Sequence, residues 1–594
     1  MNRKNLTAAV LAGLTGVVGI AGSAQAVNIN PDGTGQVLLY PYYTINGMNQ
    51  TLLSVVNTSE DAKAVKVRFL ESENSQEVLD FNLYMSAYDV WSAAIVEITQ
   101  EYIDMLPPET GGPAPGFRDC DLNPNNDIDV FCEGPLLLIA DDETTCTVPQ
   151  LGGMQPFLPF KYLDDGGTQD QSRMNAGHFE MIEMGTLIEG EWAADAATHI
   201  LHEVTDPDDE TVPPVVIDTY WAPADCDALS LAWTDLDINA AGGEGKWLLD
   251  PTDGVSAPSG GLFGGAALVN VMGGNMHTYD AMALNGWNRS GFTFGPEGDS
   301  IHAQPGFTEP TLASGDSVVG TVFTEAGFAL PSGILDEPID AVSYVLMHDS
   351  IMNEYTTEFA VLAQTEWVVT FPTKRFYVNQ DPVRAPFTRE WGYTEFVEDP
   401  DDEDELVPVG LATACETVEL DRMYDREERY PGDPECGEPG GEACPLPGGP
   451  IVSPAPPIDP IDPLAPILFN LCYESNVIRF GGDAFHIPDA GLPGQTEILG
   501  APQYLNFNNE EAGYEYGWAR IELDEYVDVE ELPGGGFIAT EASRDPIGLL
   551  NGLPTTGFAV SKFYNGFLTD LQGNRVLSAY GGLVDHRSSR KVGS

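Results

Sequence analysis

Between Val37 and Ile98 the chain alternates apolar and polar residues in five short runs separated by turn residues. "AKAVKVRFLE" sets Val65, Val67 and Phe69 on one side and Lys66 and Arg68 on the other. "EVLDFNLYM" sets Leu79, Phe81, Leu83 and Met85 against Asp80 and Asn82. A period of two belongs to a strand with one buried and one wet face. Residues 37–45, 51–57 and "YDVWSAAIVEI" complete the set, with Asn46-Gly47 as a turn signal. Strands spaced about 10–13 residues apart point to a β-sandwich.

The same texture returns in "PLLLIAD", "HFEMIEMGTLI", "AVSYVLMHDS", "TEFAVLAQ", "TEWVVTFPTKRFYV", "CYESNVIRFGG", "YGWARIEL", "GGFIATEA" and "TTGFAVSKFY". "GGLFGGAALVNVMGGNMHTYDAMAL" reads as a glycine-rich hairpin, "EWAADAATHILHEV" as the longest helix and "DCDALSLAWT" as a short one. The expected fold class is mainly β: antiparallel, immunoglobulin-like β-sandwich units with long acidic loops and a few short helices. Residues 27–396 form the sandwich region, divisible near 240. Residues 397–466, with "EDPDDEDE" and "GEPGGEACPLPGGP", are an acidic Pro/Gly-rich loop or insertion that buries too little to offset chain entropy. Residues 467–594 form a C-terminal β region.

Charge narrows the partners. The chain of 594 residues has 93 Asp and Glu against 25 Lys and Arg, a net charge of −68. Such a chain repels phosphate backbones, so nucleic acid is excluded as a partner; cations are favoured. The tail His586, Arg587, Arg590 and Lys591 is one of the few basic clusters, and is drawn to acid on its own surface or on another copy.

Residues 1–26, "MNRKNLTAAVLAGLTGVVGIAGSAQA", have a basic start, an apolar run and a closing Ala-Gln-Ala, the pattern of a secretory signal peptide cleaved before Val27. No later apolar run has the length of a transmembrane helix. The expected location is exported: periplasmic, cell-surface or extracellular. The eight cysteines fit an oxidising compartment. Local pairing gives Cys120–Cys132 and Cys436–Cys444; Cys415–Cys472 then closes the acidic insertion and leaves Cys146–Cys226, one of 105 possible patterns.

"LLYPYYTINGMNQTLLSVVNTS", "VKVRFLESENSQEVLDFNLYMSAYDVW", "VLMHDSIMNEY", "TEWVVTFPTKRFYV", "LCYESNVIRF" and "GLPTTGFAV" with the ending "AYGGLVDHRSSRK" resemble a family of exported, functionally uncharacterised cell-surface or extracellular proteins of Gram-negative bacteria. The resemblance implies export and one continuous architecture, and brings no activity or site residues.

The candidate metal site is "DCDLNPNNDIDVFCEG". Asp119, Asp121, Asn123, Asn125, Asp127 and Asp129 place an oxygen at every second position, as calcium requires. Pro124 and the Cys132 standing where an EF-hand has its last Glu depart from that motif. The alternative is a solvated acidic loop. His199 and His202 are not H-E-x-x-H, and His348-Asp349 reads as a strand-end pair rather than an acid/base couple. Tyr40, Tyr42, Tyr43, Trp91 and Trp367 suit a sugar platform or, more commonly, a core. Neither a nucleophile elbow nor a phosphate-binding glycine motif occurs. The expected function is a non-catalytic exported structural or adhesive protein of the cell surface or extracellular matrix, which associates with itself or other surface components. The alternative is a secreted carbohydrate-binding protein or glycoside hydrolase.

Overall fold

The strand Val37–Thr44 is buried at every position, because it serves two cores at once. Leu38, Tyr40 and Tyr42 face one, Val37 and Leu39 the other. The computed structural model describes residues 26–99, 102, 134–139, 145–148, 153–163, 165–205, 216–234, 245–288, 300–324, 329–392, 395–399, 402–409, 413–426, 467–481, 494–507, 515–532, 536–569 and 575–592. Within these, Val37–Thr44 is part of an eight-stranded antiparallel sheet. The order is Asn28–Ile29, Met282–Asn285, Val37–Thr44, Ala176–Leu187, Lys63–Glu71, Glu77–Met85 and Cys146–Val148, with Val255–Ser256 also on Ala176–Leu187.

A six-stranded sheet packs across it, in the order Asn275–Asp280, Leu262–Asn270, Gln50–Asn57, Val90–Glu97, Pro135–Ile139 and Met154–Pro156. Val65, Val67, Phe69, Leu79, Phe81, Leu83 and Met85 fill the space between the sheets, as the alternation requires. They meet Leu53, Val55, Trp91 and Ile95 there, and Tyr40 stacks on Phe179 at 4.1 Å. The five aromatic residues weighed as a sugar platform are all core. Each large apolar side chain buried in this way stabilises by about 1.5–3 kcal/mol.

A second antiparallel sandwich follows. One sheet runs Ile467–Leu471, Glu416–Asp425, Tyr516–Glu522, Ser350–Thr356, Arg587–Ser589; the other runs Leu505–Phe507, Ser475–Phe480, Gln364–Thr370, Thr556–Thr569, Arg575–Asp585, with one parallel pair at Leu505–Phe507. Trp367, Val369, Ile351, Ile521, Phe469 and Phe480 lie between them. The opposite face of Gln364–Thr370 and Thr556–Thr569 is also dry: Val368, Val477, Phe558 and Val560 join the first sandwich's core. Tyr279 and Phe558 stack at 5.2 Å, and Thr370 Oγ1 donates to Pro41 O at 2.7 Å. The two sandwiches are therefore fused face to edge.

Several expectations change. The sheets hold eight, six, five and five strands, which is not the seven-to-nine-strand immunoglobulin arrangement. Lys66, Arg68, Asp80 and Asn82 do not face water. Lys66, Arg68 and Asn82 are buried, and the Asp80 side chain is nearly so. The back of the eight-stranded sheet is covered, by Gly306 and Phe307 over Lys66 and Asp80, and by a satellite core holding Trp233 and Trp247 over Tyr84. The wet face belongs to the six-stranded sheet. "AVSYVLMHDS" is helical over Pro338–Leu346: Pro338 starts it, Glu337 and Asp340 form a capping box, and its nine residues, with Val, Tyr and Ile among them, suit a strand equally well by composition. "EWAADAATHILHEV" is helical only over Trp192–Ala197 and continues as the strand His199–Thr205. "TEFAVLAQ" is a 3-10 turn, Phe359–Val361, leading into Gln364–Thr370. Within the expected loop 397–466, Asp402–Val409 pairs with Glu395–Asp399, and Glu416–Asp425 is an interior strand of the second sandwich.

The disulfides Cys146–Cys226 and Cys415–Cys472 are present as expected. Cys120, Cys132, Cys436 and Cys444 lie outside the described residues, as do residues 1–25. Among the described residues, no helix is long and apolar enough to cross a membrane.

Candidate functional site

On a chain with only 25 Lys and Arg residues, eight are buried among the described residues: Lys63, Lys66, Arg68, Arg173, Lys374, Arg479, Arg544 and Lys562. Most of them lie in or beside strands where carboxylates are also drawn in, and Arg68, Arg173, Lys374 and Arg479 organise a charged seam where the two sandwiches meet.

One end of the seam is built on the turn between Lys63–Glu71 and Glu77–Met85. Glu71 accepts the N–H groups of Glu73 at 2.6 Å, Asn74 at 3.1 Å and Gln76 at 2.8 Å, closing the turn with its own side chain. Arg173, from the 3-10 turn Gln171–Asn175, donates to both Glu71 oxygens at 2.8 and 3.0 Å and to both Asp165 oxygens at 2.8 and 2.6 Å. Its guanidinium sits 4.6 Å from the centre of the Tyr162 ring. Beside it Arg68 bridges Glu77 and Glu180. The second sandwich docks here by backbone: Ser475 N–H donates to Ser72 O at 3.0 Å, and Arg375 donates to Ser75 O at 2.5 Å.

Glu474 is the exception in this cluster. It is buried, and neither of its side-chain oxygens completes a well-formed hydrogen bond; Ser75, in the turn facing it, comes close enough to pull the carboxyl down a little, and Asn74 Oδ1 there is unsatisfied. Burial pushes the Glu474 carboxyl up to about 8, against the opposing pull of Lys374. Burial thus favours the protonated acid over its carboxylate. Burial also pushes Lys374 down to about 8, while its ammonium donates to Cys472 O at 2.9 Å.

At the other end, Glu366 of Gln364–Thr370 accepts the N–H groups of Ile498 at 2.7 Å and Leu499 at 3.0 Å. That loop closes on the Asn46–Met48 turn so tightly that a side chain at Gly47, whose φ is 62°, would come within 2.9 Å of Gly500 Cα. Burial, then the neighbouring Glu497, pushes the Glu366 carboxyl up to about 7. Glu497 is held by Arg479 at 2.8 and 2.7 Å. Gln364, Glu366, Arg479, Phe480 and Glu497 line a small pocket, and both amide atoms of Gln364 are unsatisfied. A larger cleft, lined by Tyr42, Glu73, Arg173 and Tyr473 among others, lies at the Arg173 end.

This arrangement ties strands together and stores protons. Apart from Glu474, its carboxylates are taken up by Arg, Lys and backbone N–H groups, and burial holds five histidines neutral: His178 and His348 fall to about 3, and His277, His302 and His586 to about 4. His199 and His202 lie three apart in a strand, hence on opposite faces. His199 Nδ1 is 2.6 Å from Ser86 Oγ, and His202 stacks on Tyr220 at 5.2 Å. Asp349 accepts from Ser589 Oγ at 3.0 Å, and His348 Nδ1 has no partner, so the two do not form an acid/base couple. The basic tail binds its own body: Arg590 donates to Val345 O at 3.1 Å, and Lys591 pairs with Asp524 at 2.8 Å.

The candidate calcium ligands Asp119, Asp121, Asn123, Asn125, Asp127 and Asp129 lie outside the described residues. Among the described residues, no group of three or more His, Cys, Asp or Glu is placed to hold a metal ion. Sequence reasoning missed Glu366, Glu474 and Arg173. The available signal was the scarcity of cations: a Lys or Arg inside an apolar strand of an acidic chain marks a carboxylate drawn in beside it. No family model, curated protein or solved structure matches this chain.

Proposed function

We propose that this is a non-catalytic, exported structural or adhesive protein of the cell surface or extracellular matrix, akin to the exported Gram-negative family that its segments resemble. The observation that carries the reading is the seam: Arg173 and Arg479 each hold carboxylates of their own chain, and Arg68 bridges two more while its Nη2 stays without a partner. Such groups hold a rigid body together and leave little for a substrate. The two disulfides support an oxidising compartment. Calcium on the 119–129 ladder is part of the proposal, as the cation that would offset the acidic surface.

The second reading is a secreted carbohydrate-binding protein or glycoside hydrolase. It is favoured by one feature, the Glu366 carboxyl raised to about 7 beside Glu497 in a pocket with Phe480. A panel of polysaccharides incubated with the purified protein separates the two. The first reading expects no release of reducing ends. Release that disappears in Glu366→Gln establishes the second.

A further inference from the structure

Along Asn275–Asp280, Leu262–Asn270, Gln50–Asn57 and the start of Val90–Glu97 the six-stranded sheet turns its outer face to water, and that part is almost without charge; at the other end Val96 and Leu136 are buried with Ile98, and Tyr102, Ala94, Leu138 and Met154 pack on them. Ladder register aligns Thr278, Ala267, Leu52, Ala94, Leu138 and Met154 in one row across all six strands. Neighbouring rows place Met276 beside Val269, and Phe263 beside Val56 and Val90. Leu52 is 43 % exposed, Phe263 42 %, Val90 55 % and Met276 57 %. Asp280, on the edge strand, is the one charged residue facing outward in these rows. On a chain of net charge −68 this is unusual ground.

The apolar surface continues. The Val271–Met272 turn of the edge hairpin is exposed. The turn at 86–89 carries exposed Tyr88 and leads into Val90, and Ser86 Oγ lies 2.6 Å from His199 Nδ1. His199 begins a two-stranded ribbon, His199–Thr205 against Val216–Pro223, that pairs with no other described strand. Leu201 and Trp221 are register partners on it, and both are exposed. A free two-stranded ribbon is marginal in water and leaves two strand edges open.

We propose that this face, with the ribbon beside it, is where a second copy of the chain docks. Charge selects that occupant. A cationic partner would be drawn to the acidic remainder of the surface, not to the neutral sheet. Two copies repel each other everywhere except where neither carries charge, and an uncharged apolar patch is complementary to itself, as a two-fold contact requires. The four strands of the open part, spaced ~4.8 Å apart and 6 to 9 residues long, give a footprint of roughly 450 Å², and the exposed ribbon beside it extends the surface toward the ~800 Å² per partner that stable interfaces bury. The inference rests on the surface and not on the reading of export, so either can fail alone.

The test is sedimentation velocity of the purified full-length exported protein at low and high sodium chloride, spanning Debye lengths of about 30 to 3 Å. Dimer is expected to increase with salt, because salt screens the repulsion and leaves the apolar contact intact. Leu52→Glu with Phe263→Glu is expected to give monomer at every salt, and Met276→Glu, at a more exposed site, to do the same without disturbing the fold. Peroxide oxidation of Met272 and Met276 is expected to slow in the dimer. A monomer at all salts overturns the proposal, including one whose methionines are already protected by another segment of its own chain. So does an assembly that dissolves as salt rises, or a dimer indifferent to both substituted forms.

Discussion

Lys63 Nζ lies 2.8 Å from Glu183 Oε1, and both side chains are sealed from solvent. Glu183 also accepts the N–H groups of Ser259 at 2.9 Å and Gly260 at 2.6 Å, and the Lys63 ammonium donates to Ser259 Oγ at 2.6 Å. The pair joins strand Lys63–Glu71, strand Ala176–Leu187 and the segment entering Leu262–Asn270. Removing one partner leaves a buried charge without its counter-ion. Lys63→Met is expected to cost about 3–5 kcal/mol. Replacing both, Lys63→Met with Glu183→Gln, should recover part of that loss, because no charge is left buried and the amide oxygen still accepts from one of Ser259 and Gly260. Urea midpoints at fixed slope measure both.

The Arg173 cluster couples the sandwiches. Arg173→Met removes the donor from Glu71 and Asp165 and is expected to destabilise by about 3–5 kcal/mol. Unfolding followed by fluorescence should stay a single transition in the parent protein, since the two cores share Val37–Thr44. Two separated transitions in the parent would contradict the fused architecture.

Stability should peak near pH 7. Five buried histidines titrate at about 3–4 in the folded protein and near 6.5 unfolded. As pH falls below 6.5 the unfolded chain binds the extra protons, and stability drops. Glu366 and Glu474 behave oppositely. Their folded values of about 7 and 8 lie above the ordinary 4.5, so the folded state loses its proton-binding advantage as pH rises through 4.5 toward 8. Between 4.5 and about 7 the histidines outweigh them; above 7 the two acids set the slope until Lys374, pushed down from 10.5 to about 8, begins to offset Glu474. Each proton difference contributes a slope of about 1.4 kcal/mol per pH unit. Melting temperatures from pH 4.5 to 8.5 check this, and Glu474→Gln should flatten the decline above 7. A decline that Glu474→Gln leaves untouched would remove Glu474 from the explanation.

The strands of the first sandwich were readable because period-two alternation survives wherever one face packs on apolar neighbours, as at Val65, Val67 and Phe69. The inference failed at Lys66 and Arg68, where polarity was read as wetness. A charged residue on a strand is equally suited to a second covered face once an acid lies opposite, and only tertiary structure supplies Glu180 and Asp80. Pro338–Leu346 misled for a complementary reason: the helix is only nine residues long and buried, and its Val, Tyr and Ile suit a strand equally well. The Glu474 and Glu366 environments were illegible, because their burial comes from segments far away in sequence.

Calcium gives the sharpest test of the ladder. If the ion binds at Asp119, Asp121, Asp127 and Asp129 it stabilises the state that holds it, by about 2.7 kcal/mol at one hundred times the dissociation constant. Melting temperature should rise in millimolar calcium relative to chelator, more than in sodium chloride of matched ionic strength. An Asp121→Ala/Asp127→Ala protein that keeps the full response would mean that the ladder is only a solvated loop.

The central claim, an exported structural protein, is tested most directly by fractionating producing cells with and without chelator and sequencing the N-terminus of the recovered protein. The account predicts a chain starting at Val27, found at the surface or outside the cell, with chelator shifting it from the attached to the free fraction. A chain that stays in the cytoplasm and still begins at Met1 would contradict it.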